Sequence, residues 1–129
     1  MSKHPEKETT GRFSYDGLER AIHEKARLGI LASLMTKSEG LLFSELKGLC
    51  ALTDGNLSRH LKVLQETGLV EVWKGFHHNR PQTLCRMTSE GRARFLEYIS
   101  VLEQVIADTA AADADPQPAR KYLEGWSPV

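Results

Sequence analysis

Residues 52–70, LTDGNLSRHLKVLQETGLV, admit few folds. They read as a short polar turn, a helix, a glycine stop and the start of a strand. Thr53 is placed to cap the helix, because its hydroxyl can accept from the free N–H groups of the first turn. Leu52 and Leu57 stand at the spacing of a hydrophobic staple. Gly68 supplies a left-handed exit residue, with Leu69 as the apolar partner beyond it. Leu57, Leu61 and Leu64 recur at i, i+4 and i+7, so one stripe of this helix is buried. The opposite face carries Gly55, Asn56, Ser58, Arg59, Lys62 and Val63. A solvated face is usually a mixture of Glu and Lys, whereas here Glu66 is the one acid besides the N-terminal Asp54. Hydrogen-bonding side chains, two cations and a glycine suit a groove lined by phosphates and base edges. A solvated face that is basic by chance is the competing reading, and the flanking segments decide between them.

The chain has 129 residues, which suits one domain. Its formal net charge is zero, yet the charge is segregated. Residues 1–55 hold 8 basic and 8 acidic side chains, residues 56–94 hold 7 and 3, and residues 95–129 hold 2 and 6. The positive block therefore begins with the helix just described. No window approaches the apolar length of a membrane span, and the N-terminus MSKHPEKETTGR is polar throughout, so neither a membrane span nor a secretory signal is expected. Cys50 and Cys85 make no disulfide framework. A reducing cytoplasm is the expected compartment, with no membrane partner.

Taken in order, residues 1–13 are charged and are expected to form a mobile tail. A first short helix is expected from Tyr15, with Leu18, Ala21 and Ile22 at helical spacing. It leads into a second over residues 23–35, where Leu28, Leu31, Leu34 and Met35 form the stripe. Gly29 costs roughly 1 kcal/mol in propensity there, which points to close helix packing. Leu41, Leu42 and Phe43 form a brief strand or apolar link. Ser44 then caps a compact helix over residues 45–50, and Ala51, Leu52 and Thr53 connect it to the basic helix. Two short helices joined by so tight a turn make a helix-turn-helix. Val70 and Val72 alternate with Glu71 and Trp73 as a strand. A polar tip, GFHHNRP, separates it from a returning strand over residues 83–87, so a β-hairpin follows the basic helix. Thr88 caps a last long helix over about residues 89–107, with Phe95, Ile99, Leu102 and Ile106 at i, i+4, i+7 and i+11. Residues 110–118 read as a linker, and Tyr122, Leu123 and Trp126 beyond it could dock on a neighbour. The domain is expected over residues 14–107, with residues 108–129 as a C-terminal tail.

Enzyme chemistry finds no support. His23-Glu24-x-x-Arg27 lacks the second histidine of a zinc-protease helix, and no nucleophile with a partnered base, phosphate loop or dinucleotide fingerprint is present. His77 and His78 are adjacent without a carboxylate at ligand spacing, so no metal and no cofactor are expected. Cys50 reads as a small buried hydrophobe, with a redox thiol as the alternative.

These elements give a mainly α fold with a small β-hairpin: a winged helix-turn-helix, with a three-helix core, a wing and a long C-terminal helix. The segments HEKARLGILASLM, FSELKGLCALTDGNLSRHLKVLQETGLVEVWKGF and NRPQTLCRMTSEGRARF resemble winged-helix transcriptional regulators of the MarR and ArsR type, most of all the small winged-helix DNA-binding group placed beside MarR. That resemblance covers about residues 18–97. It implies a homodimer binding double-stranded DNA at a pseudo-palindromic operator.

In such a complex Asn56, Ser58 and Arg59 would reach base edges, with Arg59 the candidate for bidentate contact to guanine. Thr53 and Gly55 would lie at the same helix start, and Lys62 would reach a phosphate. Ser44 could present backbone N–H groups to another phosphate. In the wing, Lys74, His77, His78, Arg80 and Arg86 would meet the minor groove or its flanking phosphates, Arg80 foremost. His60 lies nearer the leucine stripe and is expected to pack. Arg92 and Arg94 could be solvated or face phosphate. The closing helix is longer than a small winged-helix core can cover, so Phe95, Ile99, Leu102 and Ile106, with Leu18 and Ile22, are the candidate dimerisation residues. A winged helix used for protein–protein contact, or a regulator of the same fold gated by a ligand or by redox, are the alternatives, with any effector open.

Overall fold

Helices begin in this chain where a side chain can satisfy the first free N–H groups. A computed structural model of the protein describes residues 11–110 and 124–129. Glu24 caps α1 (Lys25–Met35), its carboxylate accepting from the Arg27 N–H at 2.8 Å. Thr53 caps α3 (Asp54–Glu66), its hydroxyl accepting from the Asn56 N–H at 3.1 Å. Thr88 caps α4 (Ser89–Ala110) through the Gly91 N–H at 2.8 Å. The helix between them departs from expectation. α2 (Phe43–Cys50) starts directly from the two-residue strand β1 (Leu41–Leu42), so Ser44 sits inside the first turn and does not cap it. Leu42 has no side-chain acceptor; instead the Glu45 carboxylate reaches back to the Leu42 N–H at 2.8 Å.

α3 ends as anticipated. Gly68 takes a φ of 80°, the Leu69 N–H reaches the Leu64 carbonyl at 2.9 Å, and the Gly68 N–H reaches that of Gln65 at 3.1 Å. Both bonds together close the helix in a left-handed glycine turn and aim the chain into β2 (Val70–His77), which pairs antiparallel with β3 (Arg80–Met87). β1 pairs with the other edge of β3 through Leu41 opposite Cys85 and Leu42 opposite Leu84, giving the order β1-β3-β2.

The hairpin is longer than its sequence suggested. The expected loop over residues 75–81 is strand up to His77 and again from Arg80, closed by a two-residue turn. His78 (φ 52°) and Asn79 (φ 62°) both adopt left-handed backbone, which matches the twist of the flanking strands. Asn tolerates that region, but no glycine marks it, and the turn was therefore hidden in a polar run. Pro81 lies opposite Phe76, next to the closing His77–Arg80 pair. At that register its missing N–H faces away from β2, and β1 does not reach so far up β3.

The core gathers Ile30, Leu31 and Leu34 of α1, Leu46 of α2, Leu57, Leu61 and Leu64 of α3, Leu69, Val70 and Cys85 of the sheet region, and Phe95 and Tyr98 of α4. The expected helix over residues 15–22 is absent. Those residues form a series of turns, a strap laid along α4, and Tyr15 itself has a φ of 49°. Polar contacts fasten it: Arg12 to Asp108 at 2.8 Å, the Tyr15 hydroxyl to the same carboxylate, Glu19 to Arg94, and His23 Nδ1 against the Tyr98 hydroxyl at 2.7 Å. Local propensity alone cannot anticipate a strap whose partners lie 75 to 96 positions away. Gly29 also departs from expectation, since a Cβ there would meet only the Cys50 sulfur at an ordinary 3.9 Å. Gly91 is a tightly packed glycine, since a Cβ there would run into the Leu69 carbonyl. α4 continues to Ala110, three residues past the expected end. Residues 1–10 of the expected tail over 1–13, the linker after Ala110, Tyr122 and Leu123 lie outside the described residues, while Trp126 is exposed.

Candidate nucleic-acid interface

The buried leucines of α3 dictate what the rest of the helix presents. With Leu57 and Leu64 wholly covered, Gly55, Ser58, Arg59, Lys62 and Gln65 project outward. A Cβ at Gly55 would meet nothing within 4 Å, so the backbone is bare there. Arg59 Nη2 donates to Asn56 Oδ1 at 2.8 Å, which joins two of the base-reading candidates into one hydrogen-bonded pair. Lys47 of α2 holds Asp54 at 2.9 Å and offsets the only acid at this end of the helix. Among the described residues none of Arg59, Lys62, Lys74 and Arg80 is in a salt bridge.

Paired residues of an antiparallel ladder share a face, and this sorts the wing. Val72, Lys74, Phe76, Pro81, Thr83 and Cys85 face α3. Glu71, Trp73, Leu84 and Arg86 face away. Between α3 and the first of these faces lies an open groove of about 980 Å³, with Ser58, Lys62 and Gln65 on one wall and Lys74, Phe76, Pro81 and Thr83 on the other. Phe43 and Ser44 close its head. Lys74 Nζ rests 3.3 Å from Thr83 Oγ1, so its ammonium is held over the groove wall.

The candidates therefore divide. Ser44, Ser58, Lys62 and Lys74 come together on one groove, Arg59, Asn56, Gly55 and Thr53 continue from it along the start of α3, and His77, His78 and Arg80 stand at the exposed hairpin tip. Arg86 does not join them. It lies on the far face opposite Glu71, its Nε buried without a hydrogen-bond partner and its aliphatic stem against Gly40. Arg94 is likewise engaged elsewhere, with Glu19, Glu90 and the Thr67 carbonyl. His60 turns from the groove toward α1, 3.3 Å from the Arg27 guanidinium and 3.9 Å from Glu24. Gln65, Phe76, Pro81 and Thr83 were not anticipated. Period-two alternation through Val72 and Lys74 would have reached Phe76 had the strand been extended past Gly75.

Two side chains named for dimerisation are covered within one chain: Ile22 is fully buried and Phe95 is 5% exposed. Leu18, Ile99 and Leu102 pack partly on the same core. Ile106, by contrast, is 64% exposed, as is much of Leu96. The rings of His77 and His78 lie 4.1 Å apart, and among the described residues no group of three His, Cys, Asp or Glu side chains could hold a metal ion. Burial pushes the Cys85 thiol up to about 11, while the half-buried Cys50 sulfur lies 3.7 Å from Ser33 Oγ. Among the described residues no helix is long and apolar enough to cross a membrane.

A helix-turn-helix whose second helix shares a cationic groove with a β-wing is the architecture of a winged-helix DNA-binding protein. The chain belongs to the winged helix DNA-binding domain family, whose model matches residues 26–106. It is 42% identical over 86 residues to an uncharacterized protein of Methanocaldococcus jannaschii, an alignment covering 67% of this chain and 92% of the relative. It is similar in structure to a transcriptional regulator homologue from Pyrococcus horikoshii, with 31% identity and a TM-score of 0.66 over 73% of this chain and 91% of that one. The transcriptional regulator MosR of Mycobacterium tuberculosis, solved in complex with DNA, shares the fold at 24% identity and a TM-score of 0.58, covering 87% of this chain and 80% of that one. The fold is the one seen in MarR-family transcriptional regulators.

Proposed function

We propose that this chain is a sequence-specific regulator of transcription that binds a pseudo-palindromic operator in double-stranded DNA as a homodimer. The observation that carries this reading is the meeting of Ser58 and Lys62 of α3 with Lys74 of the wing on one groove, continuous with the exposed Arg59–Asn56 pair. In a complex, α3 enters the major groove with Asn56, Ser58 and Arg59 toward base edges. Lys62, Lys74 and the first turn of α2 at Ser44 take phosphates, and Arg80, His77 and His78 flank them at the wing tip. Two-fold symmetry through the exposed apolar residues of α4, Leu96 and Ile106, would set the second recognition helix one DNA turn away. That MosR, which shares the fold, was solved with DNA supports the DNA-binding reading.

The test is selection of duplexes from a random-sequence pool, followed by binding of the winning duplex across a salt series. A palindromic motif is expected, with affinity falling steeply as salt rises. Arg59→Ala is expected to relax the preference at one base pair, a loss of about 1–3 kcal/mol against the wild-type motif. No enriched motif and no retention at low salt would overturn the reading in favour of a protein-contact role.

A further inference from the structure

The groove between α3 and the wing is not a purely electrostatic surface. Phe76 and Pro81 are cross-strand partners on the groove face of the hairpin, and Phe76 is 78% exposed. Among the described residues Phe76 is not one of those packed on the core, whereas Val72, two same-face steps nearer it, is. Two cations flank the apolar pair on this face: Lys62 faces it across the groove and Lys74 is its neighbour along β2. An uncharged partner would leave those cations without counterions, and a purely ionic one would leave the ring in water. One strand of a nucleic-acid backbone satisfies both, because phosphates alternate with sugars whose carbon edges are apolar.

We infer that Phe76 and Pro81 form a sugar-reading site, packing on deoxyribose between phosphates held by Lys62 and Lys74, and that this contact selects DNA over RNA at that position. The inference rests on the DNA-binding reading above and adds to it the chemical group the wing recognises. A 2′-hydroxyl placed against the ring would be removed from water without a hydrogen-bond partner, whereas the deoxyribose C2′ carries no such group. Phosphate contacts cannot make that distinction, since they are the same in both polymers.

The experiment uses the full chain and the duplex chosen by the selection above, with single ribonucleotides stepped through each strand so that the helix stays close to B-form. Wild-type protein is expected to lose about tenfold in affinity when one ribonucleotide occupies the position under the ring. Phe76→Ala is expected to bind the all-deoxy duplex about tenfold more weakly, with an unchanged slope of affinity against salt, and to lose its sensitivity to the ribonucleotide. Lys74→Ala is the opposite case: a shallower salt slope and retained sensitivity. Circular dichroism of Phe76→Ala is expected to match wild type, given the exposure of the ring. If wild type fails to bind any duplex, the DNA reading itself falls. If wild type binds but Phe76→Ala binds equally well, or no ribonucleotide position matters, the sugar site is overturned while DNA binding stands.

Discussion

Arg94 of α4 and Glu19 of the N-terminal strap are joined by two parallel hydrogen bonds, Nε to Oε2 at 3.0 Å and Nη2 to Oε1 at 2.6 Å. The same guanidinium donates from Nη1 to the Thr67 carbonyl at 2.7 Å, at the end of the recognition helix. One side chain thus holds strap, closing helix and recognition helix in register. Arg27 does similar work at the other end of the strap, donating to the Ala21 carbonyl at 2.6 Å while touching His60 of α3.

A double-mutant cycle over Arg94→Ala and Glu19→Ala is expected to give a coupling of about 1 kcal/mol by urea unfolding, the upper range for a partly exposed pair made bidentate. The pair also sets a pH dependence. Hydrogen bonds from Arg94 hold the Glu19 carboxyl below its ordinary value, with burial opposing. A depressed folded value stabilises above the unfolded carboxylate pKa, and that contribution is lost as pH falls through the folded one. Wild type is therefore expected to lose stability between about pH 4.3 and lower values more steeply than Glu19→Gln. Parallel acid titrations of the two would refute the assignment.

Gly91 packs against the Leu69 carbonyl where the recognition helix hands over to the wing. A Cβ cannot fit without moving backbone, so Gly91→Ala is expected to destabilise by about 1–3 kcal/mol despite the better helix propensity of alanine. Gly55→Ala, which meets open space, is the control and is expected to gain slightly. Equal melting temperatures for the two variants would show that the contact is slack.

Lys74 and Arg86 are both cations on wing strands, yet they stand on opposite faces. Lys74→Ala is expected to reduce the slope of log affinity against log salt by about 0.9, one phosphate contact. Arg86→Ala is expected to leave DNA affinity within about twofold of wild type, since phosphate contacts act within a short screened range. Equal effects of both in a salt series would mean that DNA wraps the far side of the wing.

Phe95 and Ile106 occupy one sequence stripe but different surroundings, 5% against 64% exposed. Phe95→Ala is expected to cost about 3–5 kcal/mol by unfolding. Ile106→Asp is expected to leave the fold intact and to shift sedimentation from dimer to monomer. A wild type that is already monomeric would remove the proposed dimer.

Much of this arrangement was legible beforehand. Thr53, the leucines at 57, 61 and 64, and Gly68 determine the recognition helix through local hydrogen bonding and a 3.6-residue period, which act over one or two turns of chain. Alternation from Val70 onward likewise declared the wing, and Thr88 the closing helix. The strap was not legible, because Leu18, Ala21 and Ile22 have helical spacing while the forces that bend the segment come from Arg94, Tyr98 and Asp108 far along the chain. Nor was the length of the hairpin, whose turn uses His78 and Asn79 in place of glycine.

The recognition helix has the buried stripe and outward face that its sequence predicts, and the wing and α2 give that face its setting. By itself the sequence determined the apolar stripe of the recognition helix and where that helix stops, since those are near-neighbour effects. Only the tertiary structure decided which cations share a groove, because strand register places Lys74 and Phe76 toward α3 and turns Arg86 away, and a one-residue change in register would reverse every one of those faces.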